Sequence, residues 1–365
     1  MNKLNHYVPM MNLKQGELKA IKELAANALE KITPFFDVPR IAIVSGERTN
    51  TLDGHINKTI ANIEKYCKDI PFILDYSLFD LQLRLENKMH PLKYLYDALF
   101  EKNIIFIPAI GLDRDEEYLK ILKDFLHKTP SPQFCLRLQK DDFDSIEETQ
   151  QNIGQMLSFL NISADKCDLV IDFKCITENE VESFIDSLSE LNQLIAFVDF
   201  HSFVLAASGF PSDMSDIPPD SHGTVKRIEY DLWLAAINAA PLIGRKPKFG
   251  DYCIVNPDRP EIDSVKMRPG GKIRYTTSTT WEIFRGHNLK KGQKFSQYFE
   301  LAKKVMGSSY FLGGNFSWGD KYIAQCATEA KKTGNLPVWM QVDINHHLTL
   351  VGEQIANSGV FSESD

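Results

Sequence analysis

The sequence has no CxxC pair, no long hydrophobic run and no apolar leader, and each absence excludes a class of protein. Its six cysteines are scattered singly, which is typical of reduced thiols and excludes a disulfide scaffold. No apolar stretch approaches the roughly 18 residues that cross a bilayer, so we expect no membrane association. The N-terminal residues lack the apolar segment of a signal peptide. These features together predict a cytoplasmic protein.

Positive charge is also in short supply. Lys and Arg number 41 against 49 Asp and Glu, giving a formal net charge of −8. This balance excludes a uniformly basic coat, so we do not expect nucleic acid as a partner. The chain is 43% hydrophobic and 25% charged, which excludes a disordered or collagen-like protein and indicates a globular one.

The common signatures of nucleophilic, phosphate-binding and zinc chemistry are missing as well. The sequence contains no GxSxG elbow, no GxxxxGK[ST] loop, and neither HExxH nor HxH spacing. We therefore expect no metal and no cofactor.

Short apolar runs rich in Ile, Val and Phe recur along the chain, with amphipathic stretches between them. Continuous apolar runs of this kind are typical of parallel strands buried on both faces, and their separation leaves room for one helix each. The predicted strands are residues 32–38, 71–76, 104–111, 134–138, 169–173, 203–209, 249–255 and 272–278, the last of them extended by 281–284.

Eight strands with intervening helices predict an α/β protein with a (β/α)8, TIM-type barrel. An open doubly wound sheet is the alternative, but no glycine-rich turn follows the first predicted strand. We place the barrel in residues 1–290. Residues 291–365 are expected to form the final barrel helix and a helical C-terminal cap within the same domain.

Polar side chains fall late in several of these apolar strands, where a barrel of this type binds its ligands. A charge among apolar residues is unfavourable unless it is paired. Two interpretations stay open, a structural ion-pair network and a polar ligand pocket. The residues concerned are Asp37, Asp75, Arg137, Asp172, Lys174, Asp251, Arg274 and Tyr275.

The pocket interpretation predicts one ligand site at the mouth of the barrel. Arg227 joins it from the helix after the sixth predicted strand, and Arg285 from beside Gly286, where a guanidinium could approach an anion. A small anionic ligand would suit these arginines. The predicted ligand-binding residues are Asp37, Arg137, Asp172, Arg227, Asp251, Tyr275 and Arg285.

Two adjacent histidines are the remaining candidates for chemistry. His346 and His347 follow Asn345 at what we interpret as a helix start, with Asn345 as a cap. Adjacent helical residues point about 100° apart, which disfavours a shared metal. The candidate catalytic residues are His346, His347, Asp172 and Asp251.

Several short motifs run in a fixed order along nearly the whole chain. They are Tyr7-Val8-Pro9, Ser208-Gly209-Phe210-Pro211, Arg227-Ile228-Glu229-Tyr230, Phe249-Gly250-Asp251-Tyr252, Ile273-Arg274-Tyr275, Trp281-Glu282-Ile283-Phe284-Arg285-Gly286, Gly319-Asp320 and Asn345-His346-His347. With these motifs the sequence resembles the beta-protein family of satellite prophages. The resemblance implies a component of a small anti-phage gene cassette, in which a neighbouring product is toxic and the beta protein restrains it. No catalytic residue set comes with it.

Two functions follow as expectations. The first is a binding or regulatory protein of an anti-phage system, which contacts a protein encoded in the same cassette. The alternative is a hydrolase or transferase acting on a phosphorylated or nucleotide ligand, with carboxylates and arginines at the barrel mouth and His346 or His347 as acid–base.

Overall fold

The computed structural model describes residues 3–44, 47–77, 82–258 and 269–361. Its strands follow in chain order. They are β1 (Tyr7–Asn12), β2 (Phe35–Asp37), β3 (Ile43–Val44), β4 (Glu47–Arg48), β5 (Ile73–Asp75), β6 (Ile107–Ile110), β7 (Phe134–Gln139), β8 (Cys167–Cys175), β9 (Ser202–Ser208), β10 (Ser221–Lys226), β11 (Lys248–Asp251), β12 (Gly270–Thr276) and β13 (Thr280–Asn288).

Eight of these strands close into a parallel barrel, which confirms the predicted fold class. The order around the barrel is β1, β2, β5, β6, β7, β8, β9 and β11. The barrel closes where β11 pairs with β1, with Tyr7 opposite Phe249 and Pro9 opposite Asp251.

Helices alternate with the barrel strands, and three further helices follow β13 in the described part of the chain. They are α1 (Gln15–Lys22), α2 (Ala26–Leu29), α3 (Leu52–Tyr66), α4 (Pro91–Glu101), α5 (Glu116–Lys128), α6 (Ile146–Leu160), α7 (Val181–Ile195), α8 (Ile228–Asn238), α9 (Ala240–Ile243), α10 (Gln297–Met306), α11 (Trp318–Ala327) and α12 (Leu336–Ala356). None of the helices in the described part of the chain has the length and apolar character needed to cross a membrane.

Side chains alternate between the two faces of the barrel wall, as a strand period of two requires. Val8 and Met10 belong to the core inside the barrel, whereas Tyr7 and Met11 belong to the larger core between barrel and helices. The interior core consists of Leu4, Val8, Met10, Phe35, Ile73, Ile107, Ala109, Cys135, Val170, Val204, Ala206 and Tyr252. The direction of each strand-end side chain follows from this alternation.

The predicted strand order needs two corrections. The first barrel strand is β1, which the strand pattern missed because its sequence, YVPMMN, holds a proline and is poor in β-branched residues. The strand predicted at 272–278 is β12, which lies outside the barrel and pairs antiparallel with β13. Thr277 and Thr280 are hydrogen-bonded to each other across the turn between them. A turn this short joins antiparallel strands, and among the described residues β12 pairs with β13 alone, in a sheet separate from the barrel.

The segment after β11 has a hydrophobic core of its own beside the barrel. β12 and β13 form a three-stranded sheet with β10, and α10 and α11 pack against it. The last helix, α12, packs against α1 and β1. It also packs against α11 and β12, so it contacts both this second core and the barrel wall.

The tight interior of the barrel provides a test of the fold. A Cβ added to Gly250 would lie 2.8 Å from Ala206 Cβ, so Gly250→Ala is expected to lower the free energy of unfolding by about 1–3 kcal/mol through overpacking. Gly154 in α6 is exposed, with nothing within 4 Å of an added Cβ. Gly154→Ala should raise the free energy of unfolding by up to about 1 kcal/mol, because alanine favours a helix. Urea denaturation measures both, and equal effects would contradict this barrel register.

Candidate functional site

Four charged side chains meet inside the barrel at the C-terminal ends of its strands. Arg137 comes from β7, and three carboxylates come from β2, β5 and β8. Each lies two positions after a residue of the interior core, so its side chain also points into the barrel. The carboxylates belong to Asp37, Asp75 and Asp172. This group is called the mouth cluster below.

The guanidinium of Arg137 is fully hydrogen-bonded. Its Nη1 donates to Asp37 Oδ1 at 2.8 Å and to Asp75 Oδ2 at 2.9 Å. Its Nε and Nη2 donate to Asp172 Oδ2 at 3.0 and 2.8 Å, and Nη2 also donates to the Tyr252 hydroxyl at 2.9 Å. A guanidinium has five N–H donors, and these contacts use them all.

Further polar groups extend the mouth cluster. The Tyr252 hydroxyl donates to Asp172 Oδ2 at 2.6 Å, and the Arg114 Nη2 lies 3.5 Å from Asp75 Oδ1. Ser77 donates to Asp37 Oδ1 at 3.2 Å. The side chains of Asp75 and Asp172 are fully buried, while that of Asp37 is 10% exposed. Asp37 is therefore the carboxylate of the cluster that meets solvent.

The electrostatics of the mouth cluster do not favour an anion. Burial raises the pKa of Asp37 against the opposing effect of Arg137, and the charge of Asp75 raises it further. Three carboxylates already surround Arg137, so an added anion would meet repulsion and a guanidinium without an unused donor. The arrangement is suited to a cationic or hydroxyl-bearing group at Asp37.

Asp251 lies on the other face of the barrel wall, in what we call the wall cluster. Its Oδ1 accepts from the Tyr7 hydroxyl at 2.8 Å and from the Cys253 backbone N–H at 3.0 Å. Its Oδ2 is 2.9 Å from Nε2 of His347, which comes from α12. Burial lowers the pKa of His347, so we assign a neutral imidazole beside an ionised Asp251.

Arg227 belongs to the same wall cluster. Its Nε donates to Glu229 at 3.2 Å, and its Nη2 lies 3.8 Å from Asp251 Oδ2. Its Nη1 donates to backbone carbonyls of Thr277 and Ser278 and to Gln354. The residue is fully buried, so it joins α8 to the C-terminal part of the chain.

His346 and Tyr275 form a third polar group with Asp320. His346 Nδ1 is 2.8 Å from Asp320 Oδ2, and its Nε2 is 2.8 Å from the Thr276 carbonyl. The Tyr275 hydroxyl donates to Asp320 Oδ1 at 2.7 Å, and its ring stacks on His346 at 3.9 Å. Asn345 lies inside α12 rather than at its start, and its side chain bonds Gly319 and Ala20. The predicted capping role is wrong, because α12 begins at Leu336.

The expectation that seven predicted residues line one pocket must be corrected. Asp37, Arg137 and Asp172 come together in the mouth cluster, but Asp251 shares the outward parity of Phe249 and meets Arg227 outside the wall. Tyr275 belongs to the third group. In the described part of the chain, Arg285 Nη1 donates to the carbonyls of Met214 and Ile217 and contacts none of these clusters. Arg285 therefore holds the loop that contains Met214 and Ile217 against β13, which lies outside the barrel.

The four candidate catalytic residues are all withdrawn from solvent. Asp172, Asp251, His346 and His347 are each 0% exposed, and every one is hydrogen-bonded to another part of the chain. A substrate would have to displace these partners to reach them. The structural ion-pair interpretation therefore describes these four residues better than the catalytic one.

Strand patterns could not have found two residues of these clusters. Tyr7 lies in the strand that the pattern missed, and Asp320 lies in α11, after the last predicted strand. Tyr252 could have been found, because it directly follows Asp251 at a strand end and has the opposite parity.

The mouth cluster predicts a strong dependence of stability on Arg137. Arg137→Met leaves three buried carboxylates without their cation, and we expect the free energy of unfolding to fall by about 3–5 kcal/mol at pH 8. The loss should be smaller at pH 5, because burial raises the pKa of Asp37 and a proton on this carboxyl removes one of the unpaired charges. Arg84→Met is the control, because its ion pair with Glu117 is partly exposed and contributes at most about 1 kcal/mol. Equal denaturation midpoints for the two variants would refute this account.

The buried Glu17 in α1 predicts that the stability of the fold falls as pH rises, whereas a salt-bridged carboxylate makes stability rise with pH. Burial raises its pKa from 4.5 to about 7, although it accepts the Asn12 N–H at 3.2 Å. Because the folded state holds this proton more tightly, stability should fall as pH rises from about 4.5 through 7, by up to roughly 3 kcal/mol. Glu17→Gln should reduce this slope, to which the buried Glu229, with a pKa also raised to about 7, contributes as well, and the exposed Glu23→Gln should leave it unchanged. Unfolding curves between pH 5 and 8 test this, and unchanged slopes would contradict it.

Similar solved structures are distant. The chain resembles a type I 3-dehydroquinate dehydratase of Clostridium difficile at 11% identity and a TM-score of 0.38, over 69% of this chain and 85% of that one. It resembles an endo-1,4-beta-xylanase of Caldicellulosiruptor owensensis at 8% identity and a TM-score of 0.38, over 68% of this chain and 84% of that one. It also resembles a putative fructose-1,6-biphosphate aldolase of Coccidioides immitis at 9% identity and a TM-score of 0.36, over 98% of this chain and 93% of that one. At these scores the likenesses support no functional argument.

Comparison with curated proteins gave no match. Comparison with protein families gave a match whose residue range includes all three clusters. The model described as "Beta protein" matches residues 7–353, which run from Tyr7 in β1 to the C-terminal turns of α12. The chain therefore belongs to the beta-protein family.

Proposed function

We propose that this beta protein is the binding, toxin-restraining component of a bacterial or prophage anti-phage defence system. It acts in the cytoplasm and contacts a protein encoded in the same cassette. The observation that carries the proposal is the burial of Asp172, Asp251, His346 and His347, each 0% exposed and engaged within the chain. Groups held in this way stabilise a scaffold. The proposal therefore places function on a surface.

The barrel mouth is the surface we propose for the partner. Asp37 is partly exposed there, and Asp113, next to Arg114, has a side chain that is 70% exposed. The chain as a whole carries a formal charge of −8. A partner with a basic face would be steered to this end of the barrel by complementary charge.

The proposal is tested by co-expressing the chain with its cassette neighbours. We expect the wild type to relieve the toxicity of a neighbour and to purify with it as a stoichiometric complex. Asp113→Lys reverses a charge at the mouth and should weaken the complex about tenfold, mainly through slower association. Asp165→Lys is the matched control, since Asp165 is 60% exposed and precedes β8 at the opposite end of the barrel.

Loss of binding by both variants, or by neither, would contradict the mouth as the contact surface. Unrelieved toxicity together with the absence of any complex would overturn the proposed function itself. Titration of the complex by salt offers a further check, because an interface steered by charge weakens as ionic strength rises.

One observation favours the hydrolase or transferase alternative. Asp37 is the solvent-facing carboxyl of the mouth cluster, and its pKa is raised chiefly by burial, as suits a general acid. Asp37→Asn keeps the shape of the side chain and removes its proton transfer. Retained phage protection and an intact complex in this variant support binding. Lost protection with an intact complex, together with turnover of a phosphate ester by the wild type, would favour the enzyme.

A further inference from the structure

Three side chains with different metal-binding atoms converge on the outer side of the barrel wall. Asp251 ends β11, Cys253 follows it by two residues, and His347 comes from the middle of α12. One carboxylate oxygen, the cysteine sulfur and one imidazole nitrogen all lie within 4.8 Å of one another. All three residues are buried, with 0–2% of their surface exposed. The proximity is a product of the fold, because His347 is distant from the other two in sequence.

We propose that Asp251, Cys253 and His347 bind a zinc ion at this place in the barrel wall. Zinc is a divalent cation whose protein sites combine thiolate, imidazole and carboxylate ligands, whereas magnesium and calcium prefer oxygen alone. The Tyr7 hydroxyl, 3.1 Å from His347 Nε2, is a further oxygen at the same point. This proposal is independent of the proposed function and revises the expectation of a protein without a metal.

The hydrogen bonds around the three residues are compatible with binding through Asp251 Oδ2 and His347 Nε2. Asp251 Oδ1 is occupied by Tyr7 and by the Cys253 N–H, which leaves Oδ2 facing the imidazole. His347 Nδ1 lies 2.9 Å from Thr276 Oγ1. When the metal binds, the imidazole proton resides on Nδ1 and is donated in a hydrogen bond to that hydroxyl, which leaves the Nε2 lone pair for the metal, as with outer partners of metal-bound histidines.

The backbone holds Cys253 where a ligand is needed. Its φ is +55°, in the left-handed region that residues with a side chain rarely adopt. Such a conformation persists where surrounding contacts maintain it. Here the Cys253 N–H is bonded to the proposed partner ligand Asp251. The strained turn thus brings the thiol and the carboxylate to the same point.

The charges of the wall cluster balance when a divalent cation is present. Without it, the carboxylates of Asp251 and Glu229 share one guanidinium, that of Arg227, at 3.8 and 3.2 Å. Binding converts the Cys253 thiol to a thiolate, and its proton leaves to solvent. Zinc then neutralises the thiolate and the Asp251 carboxylate, while Arg227 remains paired with Glu229. The three ligands with the metal, and the Arg227–Glu229 pair, are then each neutral.

Such a site would connect parts of the chain that meet only in the folded protein. Asp251 lies in the last barrel strand, and α12 is the final helix. A cation between them would fasten the C-terminal helix to the closing seam of the barrel. The ligands come together only in the folded chain, so the binding energy of the metal adds to folding.

The test measures metal in the full-length chain, purified without a polyhistidine tag from zinc-supplemented medium. Elemental analysis should find one zinc per chain, and X-ray absorption should show a single sulfur ligand at about 2.3 Å. Replacement by cobalt should produce a near-ultraviolet sulfur-to-cobalt charge-transfer band. Cys253→Ser should lose the band and the metal. Cys326→Ser is the control, because Cys326 is equally buried but lies in α11, away from the cluster.

The wild type alone can also decide the matter if Cys253→Ser does not fold. Removal of zinc by a chelator should lower the melting temperature, and added zinc should restore it. A chain that holds no metal after refolding with zinc, and shows no charge-transfer band with cobalt, would overturn the proposal. Equal metal loss in Cys253→Ser and Cys326→Ser would do so as well. The cluster would then be a hydrogen-bonded network only.

Discussion

The C-terminal end of the barrel depends on the guanidinium of Arg137. Parallel strands bring their carboxyl ends to one place, and three of these ends carry an inward-facing aspartate. Their mutual repulsion inside the barrel would be large in a medium of low polarity. Arg137 offers five N–H donors, and each finds an acceptor on a carboxylate or on Tyr252. A lysine would not fulfil this role, because a compact ammonium cannot bridge three strands with a planar set of donors.

The barrel wall separates two polar systems that are adjacent in sequence. Asp251 and Tyr252 are consecutive, yet Asp251 belongs to the wall cluster and the Tyr252 hydroxyl completes the mouth cluster. The end of β11 therefore serves both faces. A shift of this strand by one residue would exchange the two side chains and disrupt both clusters. The register between β11 and β1 thus positions the charges as well as closing the barrel.

This arrangement changes what the polar residues mean for function. Charges at the end of a barrel often mark a catalytic centre, but here most are buried and paired with each other. The fold uses them to hold strands, α8 and α12 together. The proposed partner contact therefore lies at the rim of the barrel mouth, where the Asp113 side chain is 70% exposed and that of Asp37 is 10% exposed. A binding role within a defence cassette agrees with this division, and the wall cluster offers a separate place for a structural cation.

Local patterns in the sequence were sufficient for the fold class and most of its strands. Runs such as 134–138 and 169–173 are apolar over their whole length because both faces of each strand are buried, and that property is visible residue by residue. The same patterns placed Asp37, Arg137 and Asp172 in one group, since strand ends in a parallel barrel converge, but they added four residues that lie elsewhere. The order of short motifs along the chain identified the family.

Tertiary structure decided which polar residues meet. Whether β12 joins the barrel depends on a turn that pairs it with β13. Whether the Asp251 side chain faces inward or outward depends on the register of β11 against its neighbouring strands. Neither is a property of the residue itself. His347 meets Asp251 and Tyr7 only because α12 packs beside the seam between the first and last barrel strands. Contacts of such long sequence separation arise from the packing of whole elements, and no local spacing encodes them.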